Sequence, residues 1–338
     1  MATDEAGEAP AGRGHFPLAG ESEATGETTL AALGEFAVID RLVAGRDQPP
    51  AVVIGPGDDA AVILAADGKT VVSTDMLVEG RHFRLDWSTP RDIGRKAIAQ
   101  NAADVEAMGA TPTAFVVAFG APGHTSGDDV LALSDGMWEE ASRFGAGIVG
   151  GDLVAAPQWV ISVTVLGDLA FRAPIRLGGA RPGDTVAVVG DLGRSAAGYW
   201  LLHNGVAGHD ELRRLHLTPE VRYGQGRIAA EAGATAMTDV SDGLVADLGH
   251  VADASGIGID VSSAALAADH DALGEAAAAT AQDAWVWVLG GGEDHALVAT
   301  FPGALPDGWR RIGVVVDGPA RVLVDGAPWS GNPGWQSF

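Results

Sequence analysis

PRDIGRKAIAQNAADVEAMG, residues 90–109, reads as one long helix with a carboxylate on its apolar face. Ser88 and Thr89 stand where an N-cap belongs, Pro90 suits the first helical turn, and Gly109 suits the stop. At about 100° of turn per residue, Ile93, Ala97, Asn101, Asp104 and Met108 share one side. Asp104 falls between Ile93 and Ala97 in angle, inside the apolar stripe, and Lys96 projects roughly 80° away from it. A carboxylate buried there needs a partner, because an unpaired buried charge is strongly unfavourable. That partner is either a cation from elsewhere in the fold or a bound metal ion, and the metal is the sharper reading.

Outward from this helix the pattern alternates. A short helix is expected through Ile39 and Leu42, with strands at 51–54, 60–64 and 71–73 and a hairpin signal at Asp67-Gly68. A strand at 113–119, a helix over 128–144 and strands at 148–149 and 160–166 follow. The second half continues in the same way, with a strand at 185–189, a helix over 195–203, a strand at 234–237 and a helix over 243–255. Strands at 285–289, 295–300 and 311–316 close the chain. Alternation of this kind in both halves predicts an α/β (α+β) protein of two domains. The expected division is an acidic, disordered tail over 1–33, an N-terminal domain over 34–148 and a C-terminal domain over 149–338. The composition of Pro174–Gly183 is linker-like.

The 338 residues suffice for two cores at roughly 100–200 residues each. With 45 acidic against 21 basic side chains, the formal net charge is −24, which disfavours nucleic acid and anionic membranes as partners. Phosphorylated ligands would need accompanying cations. The absence of cysteine excludes disulfides, thiolate metal sites and cysteine nucleophiles. No stretch approaches the ~20 apolar residues of a membrane span, and the acidic N-terminus lacks a signal-peptide core, so a soluble cytoplasmic protein is expected.

Phosphate chemistry has few conventional carriers here. Gly68-Lys69-Thr70 ends like a P-loop, but Ile63 stands where its first glycine belongs, and Lys69 and Lys96 are the chain's only lysines. Gly190-Asp191-Leu192-Gly193 is a weak phosphate-loop candidate, since such a sequence is more often just a strand-to-helix turn. The stronger signal is aspartate at strand ends: Asp58-Asp59, Asp75, Asp152, and Asp239 with Asp242. Each alone has a plain reading as a turn residue or helix cap. Together, with little positive charge to offset them, they suit Mg²⁺, which takes oxygen ligands and binds substrate phosphates.

GPGDDAA (55–61), STDMLVEGRHF (73–83), KAIAQNAADVEAMGA (96–110), GGD (150–152), DVSDGL (239–244) and GGED (291–294) resemble, in order and spacing, the thiamine-monophosphate kinase family. The resemblance implies a fold shared with aminoimidazole ribonucleotide synthetase, two α/β domains with the N-terminal domain forming a dimeric β-barrel. It implies ATP as co-substrate, Mg²⁺ as the metal, thiamine monophosphate as the phosphoryl acceptor and a homodimer. Carried over by motif, the metal ligands would be Asp59, Asp75, Asp104, Asp152, Asp239 and Asp242, with Ser73 and Thr74 adding oxygens. Gly151, Asp152, Arg176 and Ser241 would meet the nucleotide. His82, Glu293 and Trp335 would meet the acceptor. Arg176 stands apart, because the segment from Leu177 to Ala180 is one residue longer than the family pattern. Other members of the fold, selenophosphate synthetase and the hydrogenase maturation protein, need a cysteine or selenocysteine that is missing here. Aminoimidazole ribonucleotide synthetase is the alternative enzyme, and a non-catalytic nucleotide-binding protein the alternative of another class.

Overall fold

The computed structural model describes residues 29–56, 60–332 and 334. Asp59 and Trp335, and the expected tail up to residue 28, lie outside the described residues.

The helices are α1 (Leu30–Leu33), α2 (Glu35–Val43), α3 (Pro90–Ala107), α4 (Gly127–Ser142), α5 (Arg194–His203) and α6 (Asp210–Leu217). They continue with α7 (Gln225–Glu231), α8 (Leu244–Ser255), α9 (Ala267–Ala272), α10 (Gly274–Thr280) and α11 (Ala284–Gly290). The strands of the first half are β1 (Val52–Ile54), β2 (Val62–Ile63), β3 (Val71–Val78), β4 (Thr111–Ala121), β5 (Gly147–Ala155) and β6 (Val160–Asp168). Those of the second are β7 (Thr185–Val189), β8 (Ala236–Asp239), β9 (Gly258–Val261), β10 (Leu297–Phe301), β11 (Arg310–Val316), β12 (Arg321–Val324) and β13 (Ala327–Pro328).

Two sheets carry the architecture. The first has strand order β3-β6-β4-β5, antiparallel except for β4 beside β5. The second has seven strands in the order β13-β12-β9-β11-β7-β10-β8. The first sheet runs on through Asp168, past the boundary expected after residue 148. Strands β5 and β6 hydrogen-bond to β4 and β3, so residues 149–168 belong to the first sheet. Similarly, residues 29–33, inside the expected tail, are folded. The Thr29 hydroxyl caps α1, Leu30 N–H donates to the Thr125 carbonyl, and Leu30 and Leu33 pack on the first core.

Asp67-Gly68 forms a turn with Lys69 N–H donating to Asp67, but it closes no hairpin: β2 pairs with β1 and β3 with β6. The expected strand at 285–289 is helix α11. The Asp283 side chain accepts from Trp285 N–H at its start, and Ala284, Trp287 and Val288 are buried at helical spacing, which overrides the β preference of Trp and Val.

Helix α3 matches its expected bounds. Thr89 Oγ1 accepts from Asp92 N–H and Asp92 accepts from Thr89 N–H, a capping box ahead of Pro90. The amphipathic expectation is incomplete, however. Lys96 and Glu106 are buried alongside Ile93, Ala97 and Asn101. One side of α3 packs on β3, β6 and α4, and the other meets the second half of the chain, where Glu106 accepts the N–H groups of Gly224 and Gly226 at the start of α7. Against α4 the approach is closest at two glycines. A methyl on Gly94 would meet the Leu133 carbonyl oxygen, and one on Gly136 the Arg91 carbonyl oxygen. Gly136→Ala is therefore expected to cost about 1–3 kcal/mol in chemical denaturation, the usual penalty of overpacking. Among the described residues, no helix is long and apolar enough to cross a membrane.

Candidate active site

Strand alternation sorts the Ser73-Thr74-Asp75 run. Ser73, Asp75 and Leu77 face α3, while Thr74 and Met76 face the opposite, open side of the sheet. On the α3 side, the Ser73 hydroxyl donates to Asp104 Oδ2 at 2.6 Å. Asp75 N–H donates to Asn101 Oδ1 at 3.0 Å, and Gln100 Nε2 donates to Asp75 Oδ2 at 3.1 Å.

The second sheet brings its own carboxylates to the same place. Asp239 ends β8 in register with Leu297, which opens β10, so the segment before β10 lies beside it. There His295 Nδ1 hydrogen-bonds Asp239 Oδ2 at 3.0 Å, with both residues buried. Asp242 follows in the turn into α8, whose first turn supplies Asp247. Asp247 Oδ2 accepts the N–H groups of Asp242 (3.1 Å) and Gly243 (3.0 Å). Ligand atoms of Asp242, Asp247 and His250 lie within 4.8 Å of one another.

The electrostatics show how crowded this is. Burial, with the charges of Asp239 and Asp75, pushes Asp104 up to about 7, against the Ser73 hydrogen bond and His295. Burial, with Asp239 and Asp242, pushes Asp247 to about 7 as well. Asp242 is raised by burial first, opposed by His250. Burial would lower His295, but the hydrogen bond and charge of Asp239 raise it. Carboxylate oxygens held together short of positive charge are a donor set that fits Mg²⁺.

A second constellation adjoins the first. Glu293 takes a left-handed backbone conformation (φ 62°), with its N–H donating to the Ser241 carbonyl at 2.8 Å. Its Oε2 accepts from Lys96 Nζ at 3.1 Å and lies 3.4 Å from His216 Nδ1. Burial opposes its ionisation, but the Lys96 ammonium holds it at about 2. Burial and Lys96 push His216 down to about 4, so His216 is neutral at pH 7. His82, half-buried, accepts Val78 N–H at Nδ1, and its carbonyl accepts from Lys96 Nζ. Asp294 accepts the N–H groups of Gly193 and Ser195 at the start of α5. The Gly190–Gly193 segment is thus a strand-to-helix turn whose amides are taken by a side chain, and burial raises Asp294 to about 7.

Of the residues named from sequence, Ser73, Asp75, Asp104, Asp239 and Asp242 converge, with Ser241 in the same turn and His82 and Glu293 joined through Lys96. Thr74, Gly151 and Asp152 do not join them. Thr74 Oγ1 bonds the Val163 carbonyl and the Thr164 hydroxyl on the open side. Asp152 is exposed there on β5, level with Ala118, Ser162 and Met76. Arg176 is exposed, and its carbonyl accepts from Met237 N–H. Asp247, His295, Lys96 and His216 were missed. Asp247 sits five residues after Asp242 at a helix start, and His295 directly follows GGED, the signals that point to them.

Two family descriptions match the chain: AIR synthase related protein, N-terminal domain, over residues 57–169, and its C-terminal domain over residues 181–325. A thiamine-monophosphate kinase from Mycobacterium tuberculosis is 67% identical over 317 residues, covering 94% of this chain and 95% of that protein. The chain belongs to the thiamine-monophosphate kinase family. The thiamine-monophosphate kinase of Corynebacterium glutamicum is 46% identical, covering 92% of this chain and 95% of the relative. Among solved structures, the one named "AaThiL complexed with AMPPCP and TMP" superposes with a TM-score of 0.75 at 31% identity, covering 90% of this chain and 97% of that one. The expected membership of the thiamine-monophosphate kinase family and the paired-domain fold are borne out.

Proposed function

We propose that this chain transfers the γ-phosphoryl group of ATP to thiamine monophosphate, giving thiamine diphosphate and ADP by direct in-line displacement with several Mg²⁺ ions. The observation that carries the chemistry is the set Asp75, Asp104, Asp239, Asp242 and Asp247, gathered at the junction of the two sheets, with the carboxyls of Asp104, Asp242 and Asp247 raised by burial and by neighbouring carboxylates. Family membership supports the choice of acceptor. An oxygen of the acceptor's phosphate attacks the γ-phosphorus as its bond to the β-phosphate oxygen breaks, and ADP leaves. The acceptor phosphate is already anionic near neutral pH, so no protein base is required.

Ser73, Asp75, Asp104, Asp239 and Asp242 would hold the magnesium ions, which when bound neutralise phosphate charge and align the triphosphate. Lysine is spoken for elsewhere: Lys96 pairs with Glu293 and Lys69 with Asp67. Arg176 and Ser241 are the nucleotide contacts this reading favours. The decisive measurement is ADP release with Mg²⁺ and a panel of acceptors. Turnover with thiamine monophosphate and none with unphosphorylated thiamine is expected; protein that binds ATP yet yields no thiamine diphosphate refutes the reading.

The open side of the first sheet supports a homodimer. Val72 (62% exposed), Met76 (53%), Val154 (52%) and Val116 (37%) form an apolar face with no covering element among the described residues. Met76→Arg is expected to shift the protein from dimer to monomer in sedimentation.

A further inference from the structure

Lys96 is buried on α3, with 2% of its surface exposed, and an ammonium in that position must satisfy its three donors. It donates to the His82 carbonyl at 3.0 Å, to Glu293 Oε2 at 3.1 Å and to the His216 carbonyl at 3.5 Å. These acceptors come from three separate segments: the turn after β3, the segment before β10, and α6. The first belongs to one half of the chain, the other two to the second. His82 and Glu293, the two described acceptor-substrate candidates, thus meet at one ammonium.

The remaining contacts fix how Glu293 is presented. Its backbone is pinned by the bond to Ser241, and a side chain at Gly292 would run into that same Ser241 carbonyl. Its Oε2 accepts from Lys96 Nζ, and the neutral His216 ring lies 3.4 Å from it. Its Oε1 has no hydrogen-bond partner among the described residues, and 34% of the side chain is exposed. The neutral His216 ring is itself held by the Ser195 hydroxyl at 3.1 Å. One carboxylate oxygen is therefore held by Lys96 and the other is left without a partner among the described residues, suited to an N–H donor on a heterocycle.

We infer that Lys96 is the positioning residue of the acceptor pocket, setting the separation of His82 and Glu293 across the junction of the two halves. Lys96 touches no substrate; it acts through Glu293 and the His82 backbone. The inference rests on the proposed function for the identity of the acceptor.

The chain's two lysines make the test direct. With ¹⁵N-labelled lysine in the full-length protein, Lys96 should give a slowly exchanging ammonium signal, while Lys69, 57% exposed, should exchange with water too fast to be seen. Adding thiamine monophosphate should shift the Lys96 signal, and a non-hydrolysable ATP analogue with Mg²⁺ should not. In kinetics, Lys96→Met should raise the KM for thiamine monophosphate at least about tenfold and change the KM for ATP less than about twofold. In a Glu293→Gln background the same change should add almost nothing, because the group it positions is already altered. A Lys96 signal unmoved by saturating thiamine monophosphate, an equal rise in both KM values, or fully multiplicative losses in the double variant would each overturn the positioning role. If Lys96→Met does not fold, the signal in the unmodified protein decides alone. Calorimetry separates the two ideas: protein that binds no thiamine monophosphate refutes the functional reading, whereas binding without a Lys96 response refutes only the clamp.

Discussion

Asp104→Asn is expected to lower kcat/KM for thiamine diphosphate formation by roughly 10²–10³-fold, the size of effect seen when one preorganised charge-stabilising group is lost, while leaving the metal-free protein folded and more stable. The reason lies in what surrounds the carboxyl. Its hydrogen bond is with the Ser73 hydroxyl, and the charges of Asp239 and Asp75 oppose its ionisation. An amide keeps the shape and the Ser73 contact but carries no charge, so it relieves that repulsion. Above pH 7, where Asp104 is ionised, the variant should melt a few degrees higher than the parent without Mg²⁺. Near pH 5 the parent's carboxyl is already protonated and the difference should fade. If the variant melts lower and keeps its specific activity, Asp104 belongs to a structural polar network instead of a metal site.

How far the sequence reaches is visible on α3 itself. Its caps, its length and the inward aim of Asp104 follow from local rules, because Thr89, Asp92, Pro90 and Gly109 act within one turn of themselves. The opposite side of the helix did not follow. Lys96 does project away from Asp104, but whether that direction meets water or a second domain is a property of the whole fold, and it meets Glu293. Helix α11 failed for a related reason: Trp285 to Leu289 is apolar throughout, so neither period stands out, and only packing of Ala284, Trp287 and Val288 on the second core decides. Strand alternation could have separated Thr74 from Ser73 and Asp75 in advance, since period two in β3 is a local rule. No such rule joins Asp247 or His295 to the aspartates. Their roles depend on β8 and β10 lying side by side in register, a long-range pairing.

Mg²⁺ is expected to stabilise this protein strongly at pH 8 and hardly at all at pH 5. The ordinary aspartate value here is 3.8, and Asp104 and Asp247 are each raised to about 7 in the folded protein. Between those values the folded state binds more protons than the unfolded one, so stability falls as pH rises and levels off above about 7. At about 1.4 kcal/mol per unit, each group accounts for roughly 4 kcal/mol, and the two together for less than twice that, because both shifts share Asp239 as a cause. A bound divalent cation replaces the missing countercharge and competes with protons for the same oxygens, so its effect must grow across that range. Burial lowers His216 to about 4, which by itself makes stability rise with pH up to about 6.5. Glu293, held at about 2, changes nothing between pH 5 and 8. Neither contributes when melting temperatures with and without Mg²⁺ are subtracted at each pH, since both sit on the Lys96 side of the site. The difference should be small at pH 5, climb through pH 6 and 7, and reach its full size at pH 8. In Asp104→Asn it should shrink at every pH above 6. A difference independent of pH, or the same in parent and variant, would mean that these carboxylates are not where the metal binds.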